Sequence, residues 1–189
     1  MLVNFRPVLV EYLESHPNVW VQFHHGLMIG VMNWCITGFY TCFGPILTNT
    51  PAWLEPLLEF IPGYKIEITL GAVAVFVYNI VSFVIDPLVV LLSLPLSFFY
   101  VNSTWMIYAS VENPMAFFIK YFCIAAISNL LVHFFVIKNK TLVMQGRLYI
   151  PFVQHTIALL HLMFELGYRP IYYQEIKEEV EELAEKKKK

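Results

Sequence analysis

The chain has 189 residues, of which 58% are hydrophobic, 16% aromatic and only 14% charged, about half the charge expected of a soluble domain. A mean hydropathy of +0.62 agrees, because a water-soluble fold of this size lacks the interior to hide so much apolar surface. The expected solvent is therefore a lipid bilayer, and a formal net charge of −2 with no basic patch excludes nucleic acid as a partner.

Residues 1–10 contain Arg6 and Pro7 and lack the apolar run and small-residue cleavage site of a signal peptide, so insertion is expected to begin with the first span. Residues 26–47 carry no charge and exceed the roughly 20 residues a helix needs to cross the hydrocarbon core. Glu55, Glu59 and Lys65, interleaved with Pro51, Pro56 and Pro62, then read as a polar, helix-breaking loop. A second apolar run covers residues 68–85 and is closed by Asp86-Pro87. A third covers about 88–108, bent near Pro95, and a fourth about 115–136, interrupted only by Lys120.

Residues 148–164 are marginal in length and carry Pro151, His155 and His161, so they are expected to cross obliquely or to lie in the interface. Residues 171–189 form a charged tail in which Ile176, Val180 and Leu183 recur at helical spacing, the pattern of an amphipathic helix. The predicted architecture is an all-α integral membrane bundle: four transmembrane helices, a fifth amphipathic or oblique segment, and a charged C-terminal helix. The basic residues Lys138, Lys140 and Arg147 place their loop on the cytoplasmic or matrix side, and counting back through four spans places the N-terminus there too.

On that topology His16, His24 and His25 lie just before the first span and His133 near the inner end of the fourth, so they converge on one membrane face. Neutral imidazole is a common ligand for iron, zinc and copper, and ionisable groups at membrane depth are costly. On an unbroken helix His16 and His25 would point to opposite sides, but Pro17 disfavours helix at His16 and Asn18 can cap the helix that follows. A helix-turn-helix would then bring the two rings together. His24 lies about 100° around the helix from His25 and serves as its alternative. The competing reading is that these are interface residues, where Tyr, Trp and His are common. His155 and His161 read as interface or packing residues. Cys35, Cys42 and Cys123 lie in apolar segments without CxxC spacing and read as packing groups.

Tyr12-x3-His16-x-Asn18-x6-His25, the late histidine His133, the basic stretch and Leu166-Gly167-Tyr168-Arg169-Pro170 together resemble the 2-hydroxy fatty acid dioxygenase family of small endoplasmic-reticulum membrane proteins. The similarity runs from about Phe5 to Pro170. It implies an iron(II)-dependent oxidation that shortens a 2-hydroxy fatty acid by one carbon. His16, His25 and His133 would be the iron ligands, dioxygen and the hydroxy-acid head would take the open positions, and the acyl chain would lie among the spans. Arg147 or Lys138 is assigned to the substrate carboxylate on charge alone. The chain departs from the family where Asn129, Val132, Ile137 and Thr141 stand in place of Gln, Gly, Glu and Pro. Val21 lies near the place of a further asparagine.

Those departures motivate an alternative, a non-catalytic accessory subunit of a large membrane assembly such as a mitochondrial respiratory complex. A third reading is a haem-b protein with axial histidines from two spans. The compartment is accordingly the endoplasmic reticulum, for which Lys186 to Lys189 offer a dilysine retrieval pattern, or the mitochondrial inner membrane.

Overall fold

A computed structural model describes residues 6–15, 19–47, 52, 67–132, 134–135 and 150–186. The described chain is all-helical: α1 Arg6–Ser15, α2 Val19–Thr41, α3 Leu70–Ile85, α4 Pro87–Ser110, α5 Pro114–Val132, α6 Ile150–Glu165 and α7 Pro170–Lys186. Among the described residues the only extended pairing is one isolated bridge between Pro45 and Thr69. Two helices, α4 and α5, are long and apolar enough to cross a membrane.

Local chemistry sets the helix limits. Thr69 caps α3 by accepting from the Ala72 N–H at 3.1 Å, which satisfies one of the amide donors a helix start leaves over. Asp86 ends α3 in extended backbone, accepts from the Leu88 N–H at 3.0 Å and so caps α4, whose first residue is Pro87. One residue thus serves two helices. α4 continues through Pro95 to Ser110. Helix stops at Ser15 and resumes at Val19, on either side of the sequence around Pro17; His16 itself lies outside the described residues.

α2 is the central element and packs against α3, α4, α5 and α6. Small residues allow the close approaches: a β-carbon on Gly71 would run into the Thr37 carbonyl and the Thr41 hydroxyl. Polar side chains tie the same seams. The Trp34 indole donates to Ser103 Oγ at 2.8 Å, the Tyr100 hydroxyl donates to the Gly30 carbonyl at 2.9 Å, and Ser82 and Thr156 share a hydrogen bond of 2.8 Å. Buried positions therefore include Asn33, Thr37, Ser82, Ser93 and Thr104, whereas Phe76, Leu91, Phe99 and Ile124 face outward. Small polar side chains thus share the interior with apolar ones such as Ile29, Val75, Ile85 and Phe118, while many large apolar side chains face outward.

A second core lies beside this bundle, where Leu9 and Leu13 of α1, Leu160 and Phe164 of α6, and Tyr173 and Ile176 of α7 are buried together. Val180 and Leu183 extend the apolar stripe of α7 against it. Arg6 closes the α1–α7 pair, 2.8 Å from Glu179 and 3.0 Å from Glu175.

Candidate functional site

Of the expected iron ligands, His25 lies in α2, whereas His16 and His133 fall outside the described residues, as do Lys138 and Arg147. His25 is buried, and its Nδ1 lies 2.9 Å from Asn129 Oδ1 on α5. An amide oxygen only accepts, so Nδ1 donates and the lone pair of the neutral ring resides on Nε2. His24 Nε2 lies 3.0 Å from Ser128 Oγ, and its Nδ1 is buried without a hydrogen-bond partner among the described residues. Adjacent α2 histidines thus meet adjacent α5 side chains, because the α2–α5 seam passes between two positions separated by about 100°.

This arrangement fits one arm of a metal centre. A ligating imidazole ordinarily donates its other N–H to a fixed acceptor, which sets tautomer and direction. Asn129 supplies that acceptor for His25. Asn129, in the sequence only a departure from the glutamine of the family it resembles, makes the contact that holds the His25 ring. Among the described residues no group of three His, Cys, Asp or Glu side chains is arranged to hold a metal ion.

Tyr12 links this histidine to a second polar group. Its ring centroid lies 6.1 Å from that of His25 and 6.1 Å from that of His161. His161 Nε2 lies 2.9 Å from the Tyr173 hydroxyl, which donates to Glu165 in a short hydrogen bond. Since the single Tyr173 proton goes to Glu165, its oxygen accepts from His161 Nε2–H, leaving the lone pair on Nδ1. Burial, together with the Glu165 carboxylate, holds the Tyr173 hydroxyl above its usual range and keeps it a donor. Lys177 completes the cluster, 3.7 Å from Glu165 and 4.2 Å from the centre of the Tyr173 ring. His161, read in the sequence as an interface or packing residue, is buried in the core with its Nε2 committed to Tyr173. The His161–Glu165 spacing of one helical turn is the only local signal of the pairing; Tyr173 joins through the fold.

A cavity of about 310 Å³ opens between α1, α2 and α6 beside this cluster. Phe23, Leu27 and Leu162 give it apolar walls, and Tyr12, Gln22, His161 and Glu165 form its polar side. A further cavity of about 360 Å³ lies between α2 and α5 and is lined by Cys35, Phe39, Phe118 and Phe122.

No family model, curated protein or solved structure matches the chain.

Proposed function

We propose that the chain is a four-span integral membrane protein of the endoplasmic reticulum or mitochondrial inner membrane. In this reading it binds iron through His16, His25 and His133 and oxidises 2-hydroxy fatty acids with loss of one carbon. The membrane part is supported by the outward faces of α4 and α5, the two helices long and apolar enough to cross a membrane. Only 28% of the most apolar stretch of α4 and 11% of that of α5 is buried within the protein, whereas the core helix of a soluble fold would be mostly covered. Hydrogen bonds between buried serines, threonines and asparagines supply the helix-to-helix contacts that hydrophobic burial does not provide in lipid.

The observation that carries the iron reading is the His25–Asn129 contact. It holds the ring and puts the proton on Nδ1, which would leave the Nε2 lone pair for a metal. His24, with a buried Nδ1 lacking a partner among the described residues, is the alternative donor on the same turn. Bound iron would supply dioxygen activation. The residues of the chain would orient the ligands, and Arg147 or Lys138 would hold the substrate carboxylate at the interface while its tail remained in lipid. Iron analysis of the purified protein and turnover of 2-hydroxypalmitate test the proposal. Stoichiometric iron and turnover, both lost in His133→Ala, support it; an iron-free protein inactive under reducing, iron-replete conditions overturns it.

The second reading is a non-catalytic accessory subunit of a larger membrane assembly, and α7 favours it. That helix is docked through Tyr173 and Ile176 and anchored by Arg6, while Glu178, Glu181, Glu182 and Glu185 stay exposed on its outer side. A fixed acidic ridge is suited to a basic partner surface. Purification in mild detergent separates the readings, because a protein that migrates alone is not such a subunit.

A further inference from the structure

The cavity between α1, α2 and α6 is distinct from the proposed iron ligands in its residues and in its charge. Its volume of about 310 Å³ falls at the lower end of small-molecule sites, roughly 300–1,000 Å³. Phe23 and Leu27 come from successive turns of α2 and Leu162 from α6, so their side chains make a continuous apolar trough. The two helices approach closely at Gly26, where a β-carbon would sit 3.4 Å from Ala158 Cβ, in ordinary contact. The trough ends at Glu165, the one charged side chain among its lining residues.

The polar end is rich in acceptors. Glu165 receives one hydrogen bond from Tyr173 and has a second oxygen with further lone pairs. The proton on His161 Nε2 is committed to Tyr173, so the remaining ring nitrogen can only accept while the ring is neutral. Lys177 approaches Glu165 from the α7 side but does not line the cavity. An ammonium group, with three donors and a positive charge, complements this end; a carboxylate would face the Glu165 carboxylate, whose charge Lys177 only partly offsets from outside the lining.

We propose that this cavity binds a single-chain amphiphile bearing a primary ammonium headgroup, with the head at Glu165 and the alkyl chain along Phe23, Leu27 and Leu162. The site does not depend on iron or on the dioxygenase reading, whose substrate carries the opposite charge.

Photolabelling of the full-length protein in mild detergent tests it, using dodecylamine with a diazirine near the end of its chain. Cross-links are expected on peptides containing Phe23–Leu27 and Ala158–Leu162, with competition by unlabelled dodecylamine and none by dodecanoate. Glu165→Gln should weaken labelling about tenfold, the scale of one charge-assisted hydrogen bond. Leu27→Trp, at an exposed position that need not disturb the core, should block the trough and abolish labelling. Equal competition by dodecanoate, unchanged labelling in Glu165→Gln with retained helicity, or labelling spread over the outer faces of α3, α4 and α5 would each overturn the proposal. None of these readouts measures iron or turnover, so the two proposals fail separately.

Discussion

Arg169 reaches from the turn between α6 and α7 to lie 3.3 Å from Asp86, the residue that ends α3 and begins α4. The Tyr168 hydroxyl approaches both oxygens of the same carboxylate, at 3.2 and 3.0 Å, and accepts from Arg169 Nε at 2.9 Å. Backbone geometry makes the reach possible: Gly167 and Arg169 both adopt positive φ, 91° and 47°, turning the chain sharply before Pro170 starts α7. The Gly167-Tyr168-Arg169-Pro170 sequence is therefore a clasp that fixes α7 to the α3–α4 junction.

Asp86→Ala should destabilise the protein by about 2–3 kcal/mol: roughly 1 for the lost helix cap and the rest for the Tyr168 and Arg169 donors left without their acceptor. The full penalty for breaking a buried ion pair is not reached, because the Arg169 side chain is 39% exposed and regains water. Asp86→Asn retains the cap and should cost less. Thermal unfolding in detergent measures both. A melting temperature unchanged in Asp86→Ala would show that the clasp contributes nothing to stability.

Much of the helical pattern is legible in the sequence because apolar runs and their breakers are local. Asp86-Pro87 marks the α3–α4 junction through capping and proline chemistry that needs no tertiary context. The tail stripe of Ile176, Val180 and Leu183 indicates a helix with one apolar side, though not that this side packs on α1. What the sequence conceals are contacts between distant residues. Asp86 appears only as a helix stop, yet it is the anchor for Tyr168 and Arg169. His161 appears as an interface or packing residue with no named partner, because Tyr173 lies beyond a turn whose direction depends on the positive φ at Gly167. Asn129 appears as a lost family residue, and only the packing of α2 on α5 places its amide against His25.

Asn129→Ala should lower iron affinity by about 10- to 100-fold, the usual effect of removing the group that orients a ligating histidine. The fold should tolerate the change better than the metal site does, since the remaining α2–α5 contacts are chiefly apolar. Anaerobic iron titration gives the affinity, and circular dichroism verifies the helix content. Unchanged iron affinity in the variant would remove His25 from the ligand set or show that Asn129 does not orient it.

Tyr173→Phe keeps the ring stacked on Phe164, whose centroid lies 5.2 Å away, but removes the hydroxyl shared by His161 and Glu165. The buried His161 N–H then lacks its acceptor, while Glu165 retains Lys177 and access to solvent. The expected loss is about 1–2 kcal/mol, dominated by the unsatisfied histidine. Faster hydrogen exchange in α7 together with a lower melting temperature would register it. Exchange identical to that of the unaltered protein would mean that the apolar contacts of Tyr173 and Ile176 alone hold the helix.

Cys123 occupies the middle of α5, is exposed on the protein surface and is flanked by outward-facing Ile119 and Ile127. In water such a thiol would be freely alkylated. Within a bilayer the same residue would sit at the centre of the hydrocarbon, which a charged reagent does not enter. Sealed native vesicles treated with a sulfonated maleimide should therefore leave Cys123 unmodified, and solubilisation in denaturing detergent should make it reactive. Cys35 is buried within the bundle and does not confuse the assay once peptides are mapped. Rapid modification of Cys123 in intact vesicles would place α5 outside the membrane, and the four-span reading would fail with it.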